Sequence, residues 1–565
     1  MNNSTPISVL WFKRDLRLRD HAPLQAAIAA GRPVLLLYCF EPSVMADPNY
    51  DLRHWRFVHE SLADLNRQLV RLNTSQQTDD QQTAPPLEHE WLPFVFDDLP
   101  VKKDVEPRQT GHVWVFHQEV VDVLNELADR YVIEAIYSHE ETGLNVTYDR
   151  DKTVSSWCRA RGVTWKEWQC NGVIRRLKDR DGWPALWQKT MRADQQHPNL
   201  DQLNSVSLNE DGWFDAHRGL DLPTEFSQPD SRFQPGGEAN AHRYLQSWVT
   251  ERIALYGASI SKPLESRKGC SRLSPYIAWG CLSIRQVFQA QLVAKETMGF
   301  KGQFAAFASR LRWHCHFIQK FETEDRIEFE NVNRGFDSIE KNIDRATYEA
   351  WATGHTGFPM VDACMRCLQA TGYINFRMRA MLMSFLTHHL FQHWKDGAVH
   401  LSRVFTDFEP GIHYAQTQMQ AGMTGTNTVR VYNPVKQSHD HDPLGVFVKM
   451  WLPELQNVPV AYIHEPWTMP PLEQDMYNFH VGQDYPAPIV DIAQTAREAS
   501  KRLYSQRKNE VAEEEKQRIL KKHAIPRTFA DKKKPREKLI AETPISDEPE
   551  ETVAWSRVRA RDPGR

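Results

Sequence analysis

The spacing of apolar residues along this chain changes between its first part and its second part. Residues 7–12 (ISVLWF) and 33–40 (PVLLLYCF) are short, continuous apolar runs, which are typical of strands buried on both faces of a parallel sheet. After residue 236 the apolar residues recur with the helical period of 3.6. The pattern predicts an α/β doubly wound parallel-sheet domain at the N-terminus, followed by an all-α C-terminal domain.

Further elements follow the same two periods. A third strand is predicted at 113–117 and a fourth at 132–139, and one apolar stripe through 51–72 predicts an amphipathic helix. The second part is predicted to contain helices at 240–256, 283–296, 303–321, 360–371 and 376–394.

The 565 residues are too many for one hydrophobic core, because cores stop growing at about 250–300 residues. We expect the α/β domain to span 1–170 with a polar insertion at 73–111, and a connection to follow at 171–235. The helical domain is expected at 236–505, and a charged tail that begins with a helical pattern at 506–565.

Composition narrows the function classes. No run of about 18 apolar residues exists, so no membrane partner is expected. The N-terminus shows no export signal, and eight cysteines are too few for a disulfide scaffold, so we expect a cytoplasmic protein. The net charge of −4 argues against a generally basic nucleic-acid coat.

Two motifs suit ligand binding, and each has a simpler interpretation. WFKRDLRLRDH (11–21) follows the end of a strand, where α/β sheets bind ligands, but a charged turn of this kind is often a solvated loop. GCSRLSPYIAWGCLS (269–283) places hydroxyl groups and one arginine at a predicted helix start. That arrangement suits an anion, although an N-cap without a ligand explains it equally well.

Two helical stretches, 310–317 (RLRWHCHF) and 374–381 (INFRMRAM), interleave cationic and aromatic residues. This pattern suits a surface that contacts phosphates and stacks on bases. An ordinary amphipathic helix with exposed arginines would show the same pattern. No metal site is predicted, because Cys364 and Cys367 lie in a helical pattern without a second ligand pair, and the His-rich stretches at 314–316 and 439–442 have poor ligand spacing.

Taken in order, the motifs resemble those of the DNA photolyase and cryptochrome family. The resemblance covers about residues 5–505 and is specific because many motifs occur in the family's order. They are WFKRDLRLRDHAPL, SHEETG, GGE, GCSRLSPYIAWGCLS, GHTGFPMVDACMRCLQATGY, FRMRAM, TDFEPGIH, VYNPVKQ and WLPEL. The resemblance implies an antenna-type α/β domain, a helical domain that binds FAD, and activity in blue light.

The resemblance also assigns cofactor-binding residues. Arg379 and Asp407 match an ion pair beside the flavin ring, and His413 falls where the residue facing flavin N5 sits. Cys270 replaces the usual threonine of the phosphate segment, and Glu409 replaces an aspartate. The full set implied to bind FAD is Tyr256, Cys270, Ser271, Arg272, Leu273, Ser274, Arg379, Asp407, Phe408, Glu409 and His413.

In photolyases of this family, a flipped pyrimidine dimer accepts an electron from reduced flavin. By resemblance, Trp313, His413 and Trp394 are the catalytic candidates, with Trp394 as the middle tryptophan of a photoreduction chain whose flavin-proximal member is replaced by Thr417. The residues implied to contact DNA are Arg310, Trp313, His314, Phe376, Arg377 and Met419.

Several of these positions depart from the family pattern. Met419 replaces one of the two tryptophans that sandwich a dimer, and Arg310, Phe376 and Ala380 replace other residues of the lesion pocket. Photoreduction is expected to use another aromatic route. The iron-sulfur branch is excluded by the lack of cysteines after Cys367.

Three functions stay open: a photolyase that binds damaged DNA, a cryptochrome that signals to a protein partner, and a light-independent flavin or nucleotide protein with the same fold. A second, antenna chromophore is left open as a folate, a deazaflavin or another flavin. Residues 501–565 carry 18 basic against 12 acidic side chains, so the rest of the chain is more acidic than the total. A DNA-binding face is therefore expected to be a local patch around Arg310 and Arg377.

Overall fold

The computed structural model of the protein describes residues 6–70, 111–209, 211–339, 341 and 344–525. The expected insertion, up to residue 110, and the expected tail, from residue 526, lie outside the described residues. No helix in the described ranges is both long enough and apolar enough to cross a membrane.

The N-terminal part is built on a parallel sheet, as the apolar runs predicted. In the described residues the strand order is β3-β2-β1-β4-β5, and every neighbouring pair is parallel. Strands β1 and β2 are buried at every position, whereas the edge strand β5 is largely exposed. The strands are β1 Ile7–Trp11, β2 Val34–Cys39, β3 Val113–Phe116, β4 Ile133–His139 and β5 Thr164–Trp168.

Helices cover both faces of this sheet and extend into the connection that follows it. The predicted stripe on α3 is confirmed, because Trp55, Val58, Leu62, Leu65 and Leu69 are all buried. The helices of this part are α1 Ala22–Ala29, α2 Pro42–Met45, α3 Leu52–Val70, α4 Val120–Arg130, α5 Asn145–Arg161, α6 Trp183–Arg192 and α7 Trp213–His217.

The C-terminal part is helical, as predicted. Helix α12 begins with a capping box, in which Ser283 and Gln286 each bond the other's backbone N–H. The helices are α8 Glu238–Thr250, α9 Tyr256–Ser259, α10 Ser266–Gly269, α11 Ser274–Ala278, α12 Ile284–Met298, α13 Lys301–Thr323, α14 Arg345–Thr353, α15 Pro359–Thr371, α16 Phe376–Ser384, α17 Trp394–Val404, α18 Pro410–Gln420, α19 Pro434–His441, α20 Val446–Trp451, α21 Pro471–Met476, α22 Ile492–Gln506 and α23 Glu510–His523.

Two predicted helices are shorter than the apolar pattern indicated. The prediction of one helix over 376–394 is wrong, because α16 gives way to a π-helical turn at Phe385–His389 and Phe391 adopts a positive φ of 54°. The helix predicted at 240–256 ends at Thr250, where Arg252 turns back to donate to the carbonyl groups of Tyr244 and Ser271.

The loop after β1 joins the two parts. Arg17 donates to the Gly280 carbonyl (3.0 Å), and Asp20 accepts from Ser283 (2.5 Å). Lys13, Arg17 and Asp20 are all buried. The interpretation of this charged turn as a solvated loop is therefore wrong: Lys13 pairs with Asp151 (3.3 Å) in the N-terminal part, whereas Arg17 and Asp20 bond to the helical part.

Gly280 has a positive φ of 71°, and a Cβ there would lie 2.2 Å from the Arg14 carbonyl oxygen. We expect Gly280→Ala to lower the free energy of unfolding, measured in urea, by about 3 kcal/mol, from backbone strain plus overpacking. Gly299→Ala is the matched control, because Gly299 has a φ of 79° and nothing within 4 Å of its Cβ position. Equal losses in the two variants would contradict the close approach.

Candidate functional site

A bidentate ion pair lies at the centre of the candidate site. Arg379 on α16 donates from Nη1 and Nη2 to the two carboxylate oxygens of Asp407, at 3.0 and 2.9 Å. Its Nε donates to the Ile374 carbonyl, and its guanidinium lies 4.0 Å over the Phe405 ring. Burial acts to raise the pKa of Asp407, but the charge and hydrogen bonds of Arg379 outweigh it and hold this pKa below its usual value. Asp407 is therefore a fixed anion.

His413 lies on the first turn of α18, six residues after Asp407. Its Nε2 lies 2.7 Å from the Ala398 carbonyl oxygen, so Nε2 carries the proton and Nδ1 is left as an acceptor. Burial lowers its pKa to about 4, so the ring is neutral at pH 7. The rings of Phe405 and Phe408 pack edge-on against it, at 6.0 and 5.2 Å.

A second carboxyl group nearby behaves differently. Burial raises the pKa of Glu409 to about 7, although Arg14 opposes the shift from 3.8 Å. Burial lowers the pKa of His314 to about 4, and the nearby charges of Arg14 and Asp407 act on the same ring. One site thus holds a fixed carboxylate, a carboxyl group that titrates near neutral pH, and neutral imidazoles.

The 270–274 segment reaches this site through Ser274, whose side chain hydrogen-bonds to Asp407. Arg272 adopts a positive φ of 56° and stacks 3.8 Å over Tyr373. Burial raises the pKa of the Cys270 thiol to about 11, so it stays protonated. Leu273 is buried, and Ser271 accepts from the Leu273 N–H at 3.5 Å.

Buried polar atoms without a protein partner point to a polar ligand here. In the part of the chain that the structure describes, Nε of Arg272, Nε2 of His314 and Oδ1 of Asn375 are buried and make no hydrogen bond. Such atoms are costly unless a ligand or water satisfies them. These donor and acceptor atoms therefore fit a ligand with several polar groups, which suits a dinucleotide.

The aromatic and basic residues expected at the DNA are divided between helices. Trp313 on α13 is half-buried, and its ring contacts the rings of His316 and Phe317 at 5.1 and 5.6 Å. Arg310 hydrogen-bonds to Tyr256, which is buried. Phe376 and Met419 are also half-buried, on α16 and α18.

Arg377 does not fit the expected surface patch. Only 7% of it is exposed, because α16 packs that face into the helical core. The expectation that Arg377 forms part of an open basic surface is wrong.

Trp394 begins α17 and is buried. Its indole N–H donates to Asn331 (2.7 Å), and its ring lies 6.3 Å from that of Tyr414. Tyr414 in turn lies 5.6 Å from His413, so the three rings form a continuous series.

Sequence reasoning missed Arg14 as part of this site. Its guanidinium donates to the Ala278 and Phe408 carbonyl groups and stacks 4.6 Å over Trp279. The basic turn after β1 was the available signal, but which of its cations would reach the helical part depends on the packing of the two parts.

Sequence reasoning also missed a buried cluster of Asp15, His21 and His139, whose ligand atoms are close enough to hold a metal ion. Hydrogen bonds account for the cluster without one. The Leu24 N–H donates to Nδ1 of His21, so Nε2 of His21 carries its proton and donates to Asp15 (3.0 Å). His139 lies 2.7 Å from the same Asp15 oxygen.

A cavity of about 750 Å³ opens beside the site, between helices α4 and α5 of the N-terminal part and helices α17 and α18. Its lining is acidic, and Tyr414 reaches it. The charged residues that line it are Glu41, Asp47, Glu119, Asp122, Asp149, Arg150, Glu328 and Lys395.

Comparisons with known proteins agree with this architecture. Residues 307–505 match the family model for the FAD binding domain of DNA photolyase, and residues 8–90 match the DNA photolyase model. A cryptochrome DASH from Gloeobacter violaceus is 28% identical, covering 89% of this chain and 96% of the relative. A deoxyribodipyrimidine photo-lyase from Alkalihalophilus pseudofirmus is 26% identical, covering 88% and 98%. The Synechocystis cryptochrome structure aligns with a TM-score of 0.73 at 23% identity, over 89% of this chain and all of that one, and shows the shared fold.

The neutral state of His413 predicts a pH dependence. Its folded pKa of about 4 lies below the usual 6.5, so between these values the unfolded chain binds the extra proton and stability falls as the pH falls. One extra proton bound by the unfolded chain changes the free energy of unfolding by about 1.4 kcal/mol per pH unit. Wild type should therefore lose about 2 kcal/mol more than His413→Gln between pH 7 and pH 5, because the variant lacks this titrating group. The control is the exposed His355→Gln. A pH profile of His413→Gln that matches wild type in urea unfolding would contradict the assignment.

Proposed function

The chain belongs to the DNA photolyase and cryptochrome family, and on that premise we propose that it is an FAD-dependent, blue-light-driven photolyase. Its substrate would be a UV-induced pyrimidine dimer in DNA, repaired by electron transfer from reduced flavin. The observation that carries the proposal is the half-buried Trp313, which directly precedes His314 beside the Asp407 carboxylate. A flat aromatic face next to a polar ligand site suits a base held out of its stack.

The cofactor would be held by the residues around the central ion pair. Arg272 and Asn375, with their unsatisfied atoms, fit the polar parts of FAD, and Arg379 and Asp407 fit the flavin end. When bound, FAD supplies light absorption and one electron. Arg379 is held by Asp407, so its positive charge stays in place to stabilise negative charge on a reduced ring. His413 keeps its Nδ1 as an acceptor because its only N–H, on Nε2, donates to the Ala398 carbonyl.

Electron supply to the flavin would follow the ring series of Trp394, Tyr414 and His413. The separations of 6.3 and 5.6 Å support this route, in place of the usual chain that Thr417 interrupts. Tyr414, the middle member of the series, also borders the 750 Å³ cavity.

A cryptochrome-type photoreceptor without repair activity is the second candidate. Met419 lacks the flat face of a second tryptophan, and Arg377 is buried rather than available to phosphates. Such a receptor would need a signalling protein as partner, whereas a photolyase would need damaged DNA. The eight cysteines are all free, which supports a cytoplasmic location for either function.

The acidic cavity does not fit a second flavin dinucleotide. Six carboxyl groups line it against two cations. A diphosphate would meet repulsion in such a lining. The crevice beyond the carboxyl ends of β1 and β4 leaves only about 40 Å³. Any antenna chromophore in the larger cavity would therefore be one without a diphosphate.

The repair proposal is tested with lesion-bearing oligonucleotides, reduced protein and blue light. We expect light-dependent restoration of either a cyclobutane dimer or a (6-4) product, with none in the dark. If the flavin-loaded protein restored neither lesion, the photolyase proposal would be wrong and the cryptochrome candidate would stand.

Breaking the central ion pair should release FAD. We expect Arg379→Ala and Asp407→Ala to lose most bound FAD during purification, because each leaves a charge unpaired at a cost of roughly 3 kcal/mol. Arg345→Ala is the control, since the Arg345–Glu349 pair is exposed. Full FAD occupancy, measured by absorbance, in either site variant would contradict the role of the pair.

Removing the aromatic face should weaken lesion binding without loss of flavin. We expect Trp313→Ala to lower affinity for damaged DNA by about 5- to 150-fold, the equivalent of one stacked base, while FAD occupancy stays at the wild-type level. The control is Trp213→Ala, which removes a half-buried indole from α7. Unchanged affinity by fluorescence anisotropy would show that the lesion pocket lies elsewhere.

A further inference from the structure

A buried arginine in the connection before α6 has no partner in the described residues. Only 1% of Arg180 is exposed, and none of its three guanidinium nitrogens makes a hydrogen bond there. Its guanidinium lies 5.5 Å from the centre of the Trp183 ring. Burial lowers its pKa to about 10, so it remains charged at neutral pH. A buried, unpaired charge is strongly unfavourable, and structures normally supply a counter-ion.

A neutral imidazole lies against the same tryptophan, and a lysine lies one turn from that imidazole. Trp183 contacts the His316 ring at 6.1 Å, and Nδ1 of His316 is buried without a partner. Lys320 follows His316 by four residues on α13, so both project from one face of that helix. Burial, partly offset by Glu324, lowers the pKa of Lys320 to about 8.

The nearest carboxylate is already engaged. Glu324 follows Lys320 by one more turn, but its oxygens accept from Arg518 (2.9 Å) and lie 2.7 Å from the His523 ring. Arg326 bonds to the same carboxylate. No carboxylate in the described ranges lies within ion-pair distance of Arg180 or Lys320, so this cluster has an excess of positive charge.

We propose that Arg180, Lys320 and His316 form a binding site for a phosphate-class oxyanion. The planar guanidinium offers paired donors to two oxygens, the lysine adds a point charge, and the imidazole can donate one more bond. Exposure rises from 1% at Arg180 to 9% at His316 and Lys320, so the anion would enter from the α13 side.

The anion could be free phosphate or a phosphodiester of bound DNA. His316 contacts Trp313 at 5.1 Å, which places the site next to the residue expected to stack on a base. The proposal concerns anion binding by the protein in the dark and does not depend on light-driven repair.

The test is thermal unfolding of the full-length protein in phosphate and in chloride at matched ionic strength. For wild type we expect a saturable rise in Tm of about 3 °C or more over millimolar phosphate. Arg180→Met should show no phosphate-dependent rise, and in chloride it should unfold at or above the wild-type Tm because the unpaired charge is gone. The exposed Arg192→Met is the control and should respond as wild type does.

Lys320→Met serves as a second variant and should at least halve the phosphate response. A wild-type Tm without a saturable phosphate response would overturn the proposal, as would an equal response in Arg180→Met. A loss of Tm in Arg180→Met that is the same in both buffers would also overturn it, because a carboxylate of the chain itself would then pair with Arg180.

Fluorescence anisotropy with an undamaged oligonucleotide distinguishes free phosphate from a DNA phosphodiester as the bound anion. If a DNA phosphate occupies the site, Arg180→Met should weaken DNA binding at least fivefold, and phosphate should compete with DNA. If free phosphate is the ligand, neither the variant nor added phosphate should change DNA affinity at matched ionic strength.

Discussion

The candidate site depends on one arginine from the other part of the chain. Arg14 follows β1 and donates to the carbonyl groups of Ala278 and Phe408, which lie in the two segments that supply Ser274 and Asp407. Its guanidinium also stacks over Trp279, so two of its nitrogens and one face of its plane are held by the helical part. Because Arg14 bonds to both segments, the loop at the end of strand β1 helps to hold the ligand site in the helical part.

Three titratable side chains close together in the sequence have different protonation states in the folded protein. Within seven residues the chain places Asp407 as a fixed anion, Glu409 with a pKa of about 7 and His413 as a neutral imidazole. The two pKa values differ because Arg379 bonds to both oxygens of Asp407, whereas Arg14 reaches Glu409 only at 3.8 Å and burial dominates the pKa of that carboxyl group. A site of this kind can stabilise negative charge at one end and exchange a proton at the other.

Local pattern predicted most of the secondary structure. Apolar runs gave four of the strands, and the helical period gave α3, α12, α13 and α15 close to their bounds. Strand β5 and helix α5 were not predicted, because neither has a clear periodic pattern of apolar residues. The break after α16 was also missed, since a π-helical turn keeps every side chain buried and leaves the apolar pattern continuous.

Features of the site that depend on contacts between residues far apart in the sequence could not be predicted from the sequence. Motif order led to Arg379, Asp407 and His413, which the structure brings together, but it could not show that Arg377 turns inward or that Arg180 is buried without a partner. Both depend on which face of a segment meets a neighbour far away in the sequence. Burial of a charge is a property of the packed chain, so it becomes readable only from the structure.

We expect the two parts of the chain to form one flavin site together. The most direct measurement is the absorbance spectrum of the purified full-length protein, with the flavin released by denaturation and counted against protein. We expect flavin bands and about one FAD per chain, because one set of polar groups surrounds Asp407 in the described residues. A spectrum without flavin bands, in protein that is folded and supplied with FAD, would contradict it.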